Sequence, residues 1–253
     1  MTKIFPFPKE RQHTLVFLQY AKNCSPVFID TDVDMRKILE LQAKHIEENQ
    51  TKYSIITYFI YAAARVISNY PEANSSFSGG VFPKIAQYET VNAKFTLDKH
   101  IGKQRVVVAA LVPNADQLSL SAIQQIIDYY KAKDFTDIEE FSGIQKLQKF
   151  PFWISQLLFN LIGANLVRKK NVLGTFSVSS LGHKPIQSFF SVGGTTLTFG
   201  LGRIQAKPVV QDEQIKIVHL MRLSMTFDHR LIDGAMSADI LNDIKDYLDN
   251  FYE

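Results

Sequence analysis

The stretch LSMTFDHRLIDGAMSADILNDI, residues 223–244, decides how this chain is read. A β-rich run ends in Asp228-His229-Arg230, two aliphatic residues follow, and Asp233-Gly234 opens a new pattern. Downstream, Ile240, Leu241, Ile244, Tyr247, Leu248 and Phe251 recur at helical spacing. The sequence therefore predicts a strand, a tight turn bearing a histidine, and a helix. An imidazole at a strand end sits where a cleft can form, and its titration near neutrality suits it to take and return a proton. A ring tied to a backbone carbonyl for purely structural reasons fits the same local pattern. Asp233, four residues on, could orient the loop or pair with an arginine.

Composition narrows the field. The 253 residues are 46% hydrophobic and 21% charged, ordinary values for a globular chain. A net charge of +3, without a Lys/Arg block interleaved with aromatics, argues against a nucleic-acid partner. Arg168-Lys169-Lys170 reads as a helix C-terminus favoured by the helix dipole. Cys24 is the only cysteine, so no intrachain disulfide or cysteine zinc site is expected. The N-terminal MTKIFPFPKERQH has no apolar signal core, and a cytoplasmic location is expected.

Working outward, SPVFIDTDVDM (25–35) alternates as a strand, and RKILELQAKHIEEN (36–49) has a helical period. YSIITYFIYAAARVISNYP (53–71) is apolar nearly all round, the pattern of a core helix, and stops before Pro71. RVVVAALVP (105–113) reads as a buried strand. SLSAIQQIIDYYKAK (119–133) reads as a helix capped by Ser119 or Ser121. From GTFSVSSLG (174–182) onward the chain turns β-rich, with strands in 195–204 and 215–227 and a turn within VVQDEQIKI. No linker or repeat marks a boundary, so one domain over 1–253 is expected, in the α/β class with a mixed, mainly antiparallel sheet flanked by helices.

KFPFWISQLLFNLIGANLVRKK (149–170) is unusually apolar, but Ser155, Gln156, Asn160 and Asn165 interrupt it, which argues against a membrane span. Phe150, Trp153, Ile154, Leu157, Leu158, Leu161 and Ile162 form a stripe at helical spacing. The expectation is a helix packing that stripe on its own domain; a lid over an acyl pocket is the alternative. Membrane-surface contact is not expected, because the polar face lacks the Lys/Arg of an interfacial helix.

Other chemistry finds little support. The six histidines show no metal-site spacing, so no metal is expected. GGTTLTFGLG lacks the order and following helix of a phosphate loop, and no G-x-S-x-G elbow occurs.

LSMTFDHRLIDGA resembles the D-H-R-x-x-D-G signature of the acyltransferase core of 2-oxo acid dehydrogenase complexes, and the looser H-x-x-x-D-G is shared with chloramphenicol acetyltransferase. The resemblance continues collinearly over most of residues 11–250. FGLGRIQAKPVVQDEQIKIVHLMRLSMTFDHR is similar to the family's strand-turn-strand approach, GTFSVSSLG to a G-T-F-T-I-S-N-L-G strand, and ITYFIYAAARVISNYPEANSSF to its long core helix. VPNADQLSL and PVFIDTDVDM match further stretches. The resemblance implies a chloramphenicol acetyltransferase-like fold and acyl transfer with acyl-CoA as co-substrate and no bound cofactor. It makes His229 the general base, its other ring nitrogen held by its own backbone carbonyl. Ser179 becomes the hydroxyl that donates to the tetrahedral oxyanion, with Ser180 the strand alternative facing away. It implies that Asp233 pairs with Arg11 to hold the histidine loop, with Gly234 in support and Asp228 and Arg230 as scaffold. It also implies a homotrimer in which His229 and Ser179 of neighbouring subunits share a site.

Departures from the family pattern matter. The core begins almost at residue 1, so no lipoyl attachment in this chain is expected. The chain ends soon after its last helix, which favours a trimer over a larger shell. The family's N-P-P turn is absent from FSVGGTTLTFG. The region about 134–172 is longer and carries the apolar helix, so the acceptor could be dihydrolipoamide, a carrier-protein thiol or another nucleophile. The competing readings are a drug acetyltransferase of the chloramphenicol type and a non-catalytic trimeric scaffold.

Overall fold

A computed structural model describes residues 2–252. In chain order come α1 (Gln12–Ala21), β1 (Pro26–Asp34), α2 (Arg36–Asn49), α3 (Ile55–Ile67), β2 (Ser75–Ser78), β3 (Lys84–Gln87), β4 (Ala93–Ile101) and β5 (Gln104–Val112). Then follow α4 (Leu120–Ala132), α5 (Ser142–Lys149), α6 (Phe152–Ala164), α7 (Leu166–Leu173), β6 (Phe176–Ser180), β7 (Leu197–Leu201), β8 (Gln205–Gln211), β9 (Gln214–Asp228) and α8 (Gly234–Asp249). A single sheet orders its strands β1-β9-β7-β6-β4-β5, with β8 on the free end of β9, and β2-β3 form a separate hairpin. The pairs β4-β6 and β6-β7 are parallel and the rest antiparallel, so the sheet is mixed and mainly antiparallel, as expected.

Side-chain alternation gives the sheet two unlike faces. Phe95, Phe176, Val178, Phe199, Met225 and Phe227 point to one side and join α3, α4 and α8 in the main core. Tyr58, Phe59 and Ile60 of α3 are all but fully buried there, as its all-round hydrophobicity requires. The opposite face carries Lys94, Thr96, Ser177, Ser179, Thr198, Ser224 and Thr226. Over part of that face lies α1, tied to the β5 edge where His13 Nε2 meets the carbonyl of Val107 at 3.2 Å. Val16, Phe17 and Tyr20 of α1 form a second small core with Leu147, Phe159 and Leu173.

The Ser119 cap is present: its side chain accepts from the amide of Ala122 at 3.2 Å. The turn in VVQDEQIKI joins β8 to β9 through Asp212 (φ 51) and Glu213 (φ 61), the doubly left-handed loop that matches strand twist in a two-residue hairpin.

The apolar segment departs from expectation. It is two helices, because Asn165 ends α6 and caps α7 by accepting from the amide of Arg168 at 3.2 Å. The stripe also faces outward: Trp153, Leu157 and Leu161 are 68%, 55% and 60% exposed. The buried face is Ser155, Phe159 and Gly163, because α1 offers the aromatic edges of Phe17 and Tyr20 to Phe159 and the side chain of Gln12 to Ser155. With α4 and β5, helices α5, α6 and α7 wall an apolar groove of about 1390 Å³ lined by Leu111, Ile126, Leu158, Leu161 and Val172. Among the described residues no helix is long and apolar enough to cross a membrane. A methyl group at Gly163 would run into the Tyr20 ring. Gly163→Ala should therefore cost about 1–3 kcal/mol in urea unfolding by forcing α6 off α1. Leu157→Ser, on the exposed arc, should change stability by no more than about 0.5 kcal/mol.

Candidate active site

Strand β9 delivers the histidine to the sheet's end. The amide of Asp228 donates to the carbonyl of Thr196, and the next amide, that of His229, to the carbonyl of Ser25, both at 2.9 Å. This backbone clamp fixes the turn between β7 on one side and the start of β1 on the other. The His229 ring packs edge-on against Phe227, centroids 5.7 Å apart, with its side chain 49% exposed. Its Nδ1 lies 3.4 Å from Oδ1 of Asp233. The Nδ1 side of the ring is thus met by the Asp233 carboxylate. Asp233 is 87% exposed; it stands at the N-cap position of α8 without a side-chain cap, while its carbonyl accepts from the amide and hydroxyl of Ser237. A side chain at Gly234 would meet nothing within 4 Å, so within one chain the glycine answers no steric demand.

The neighbours of His229 are scaffold. Arg230 Nε and Nη2 donate to the two oxygens of Asp228 at 2.9 and 2.5 Å, and the amides of Arg230 and Ser25 add 3.2 and 3.3 Å contacts to Oδ1. Burial pushes the Asp228 carboxyl up, but the hydrogen bonds and charge of Arg230 and the Ser25 amide outweigh it and hold the group below its usual value. The guanidinium also lies over the Phe77 ring, 4.5 Å from its centroid, joining the β9 end to the β2-β3 hairpin.

Ser179 stands near the end of β6, on the polar sheet face. Thr96 Oγ1 donates to its Oγ at 2.7 Å, which occupies an acceptor site and leaves the Ser179 hydroxyl proton free to point elsewhere. Ser180 is exposed and faces the other way. Thr96 is a residue that sequence reasoning missed; only the β4-β6 register places it beside the serine.

The structure does not bring Ser179 to His229 within one chain. Through Gly200, Ser179 is level with Ser224, five residues before His229, and β6 is two strands from β9. Strand geometry makes the separation roughly 19 Å, about 16 Å along the strands and about 10 Å across them. Arg11 does not reach Asp233 either. The turn Lys9–Arg11 packs against β5, and His13, two residues on, is anchored at Val107, so Arg11 lies at Ser179's end of the polar face. The expected Arg11–Asp233 pair is absent from the single chain, because α1 carries the arginine to the opposite edge of the sheet from α8. The geometry thus yields two half-sites, His229 with Asp233 at one end and Ser179 with Thr96 at the other. Among the described residues no cluster of three or more His, Cys, Asp or Glu could hold a metal.

The mixed sheet flanked by helices is the chloramphenicol acetyltransferase-like α/β fold; against a solved chloramphenicol acetyltransferase the chain gives a TM-score of 0.51 at 13% identity, over 98% of this chain and 100% of the other. Within that class, the chain belongs to the family of 2-oxoacid dehydrogenases acyltransferase (catalytic domain), whose sequence model matches residues 2–137 and 165–253. The match passes over 138–164, the segment bearing α5 and α6. It is 27% identical over 226 residues to the dihydrolipoyllysine-residue succinyltransferase component of the 2-oxoglutarate dehydrogenase complex of Buchnera aphidicola, covering 87% of this chain and 46% of that protein. The chain thus spans about half the length of the curated relative it matches. The dihydrolipoamide acetyltransferase of Azotobacter vinelandii has the same fold, with TM-score 0.73 and 19% identity over 99% of this chain and 92% of that one. Crystallographic and enzymatic work on that protein concerns the role of a serine, a histidine and an asparagine in its mechanism, the asparagine four positions after the histidine.

Proposed function

We propose that this chain is an acyltransferase moving an acyl group between coenzyme A and a thiol, hydroxyl or amine acceptor, at sites shared between subunits of a homotrimer. The observation that carries the reading is the spacing of chemical groups. Asp233 follows His229 by four positions, as the asparagine follows the histidine in the Azotobacter protein, and Ser179 precedes His229 by 50 against 52 there.

His229 Nε2 takes the proton from the acceptor as its sulfur, oxygen or nitrogen attacks the thioester carbonyl. The carbonyl oxygen becomes an oxyanion, and the Ser179 hydroxyl of a neighbouring subunit donates to it. Collapse breaks the carbon–sulfur bond, and His229 returns the proton to the departing thiolate. Free CoA and the acylated acceptor result. One chain cannot assemble this site, since its own serine and histidine are too far apart. Two features support association. The half-sites lie at opposite ends of the sheet, and the β8-β9 hairpin projects past β1 with Val210, Ile215 and Ile217 72–78% exposed on one face. In that arrangement Arg11 belongs beside the Asp233 of a neighbour.

Thiol release from acetyl-CoA and succinyl-CoA, with and without dihydrolipoamide or a carrier-protein thiol, tests the activity. Binding of neither thioester and turnover with no acceptor would leave the non-catalytic scaffold standing. A double-mutant cycle of Arg11→Met and Asp233→Asn on kcat/KM should give a coupling energy of about 0.5–3 kcal/mol. Additive effects would place the arginine elsewhere.

A further inference from the structure

A second pocket opens beside the histidine turn, on the polar side of the sheet. It has a volume of about 420 Å³ and lies between α1, the β2-β3 hairpin and the α6-α7 junction. Its lining includes Asn23, Cys24, Gly79, Gly80, Lys169 and Arg230. The charges around it do not balance. Lys169 is only 6% exposed and donates to the carbonyl of Phe77 at 3.0 Å. Lys94, 5% exposed, lies deeper and donates to the carbonyl of Gly193 at 2.5 Å. Among the described residues neither ammonium forms an ion pair with a carboxylate, and a carbonyl accepts only one of the three protons each carries. The one acidic side chain lining the pocket, Asp228, is already engaged by Nε and Nη2 of Arg230, which leaves Nη1 outside that fork.

We propose that this pocket binds a small oxyanion, a carboxylate or a phosphate, with Lys169 and Arg230 as its charged ligands and Lys94 as a buried positive charge beneath. Buried cations are retained where something opposite pairs with them; among the described residues the carboxylate that acts on Lys169 is Asp228, already forked by Arg230, and none contacts Lys94. Burial, the largest influence, and the nearby Lys169 charge push the Lys94 ammonium down to about 7, and burial lowers Lys169 as well. The other titratable groups facing the cluster cannot supply the anion at neutral pH, because burial raises both the Tyr20 phenol and the Cys24 thiol. Asn23 and Asn160 stand at the wall; Asn160 accepts from Gln156 through its oxygen, which leaves its amide protons for a ligand. The inference does not depend on the acyl-transfer reading.

Cys24 makes the test direct, because it is the chain's single thiol and lines the pocket. Alkylation of Cys24 by neutral iodoacetamide is followed with increasing inorganic phosphate, succinate or acetate, against potassium chloride at matched ionic strength. At roughly ten times its Kd the bound anion should slow alkylation about tenfold and raise the unfolding temperature. Lys169→Met, which keeps the apolar stem and removes the charge, should abolish both effects. Protection by phosphate alone or by the carboxylates alone identifies which oxyanion the pocket takes. Protection no greater than that from chloride in the wild-type protein overturns the proposal whatever the variant does, and so does undiminished protection in Lys169→Met.

Discussion

His229→Ala should lower kcat for CoA release by roughly 10²–10⁴-fold, the usual contribution of a positioned acid–base group, while leaving the fold intact. The ring is half-exposed, and the turn is clamped by backbone bonds from Asp228 and His229 rather than by the imidazole. Thiol release measured beside a thermal unfolding curve separates chemistry from stability. A loss below about tenfold would remove His229 from the proton-transfer step. Asp233→Asn should cost much less, because asparagine can still meet Nδ1 through its side-chain oxygen.

Ser179→Ala should reduce kcat by about 10²–10³-fold with little change in KM, since its hydroxyl is directed at charge that develops only in the transition state. Thr96, which donates to Ser179, positions that hydroxyl, so Thr96→Val should give a smaller loss in the same direction. The sharper result comes from mixing. His229→Ala and Ser179→Ala chains, each nearly inactive alone, should recover activity when refolded together. Under random assembly about one site in four draws an intact histidine from one chain and an intact serine from its neighbour. Recovery toward a quarter of wild-type activity is the signature of shared sites. Persistent inactivity of well-folded mixed oligomers would sink the intersubunit arrangement.

Three local departures from the sequence expectations have physical causes. The apolar stripe of 149–170 was expected to face inward, since helical spacing identifies one face but not its neighbour. In the fold, α1 presents Phe17 and Tyr20, and the helix meets them with Phe159 and Gly163, leaving Trp153, Leu157 and Leu161 outside. Helix α1 itself escaped notice, although Val16, Phe17, Tyr20 and Ala21 stand at helical spacing over its ten residues. Lys169 reads from sequence as a helix-end charge favoured by the helix dipole; in the fold the β2 carbonyl of Phe77 and the Tyr20 ring close over it and bury it.

By itself the sequence determined the elements and their chemistry. Periodicity wrote out β1, α3, α4, β9 and α8, the cap of α4 and the β8-β9 turn, and the run 223–235 marked the histidine turn and its family. These are local properties, set by side-chain period and turn preference within a dozen residues. Tertiary structure alone decided what those residues face. Thr96 meets Ser179 because β4 and β6 pair in parallel in one particular register. Likewise Arg11 lies far from Asp233 because four strands separate β5 from β1, and Ser179 lies far from His229 because through Gly200 it is level with Ser224 on β9, five residues short of the histidine. Contacts between residues a hundred positions apart depend on strand order and packing, which no local pattern encodes.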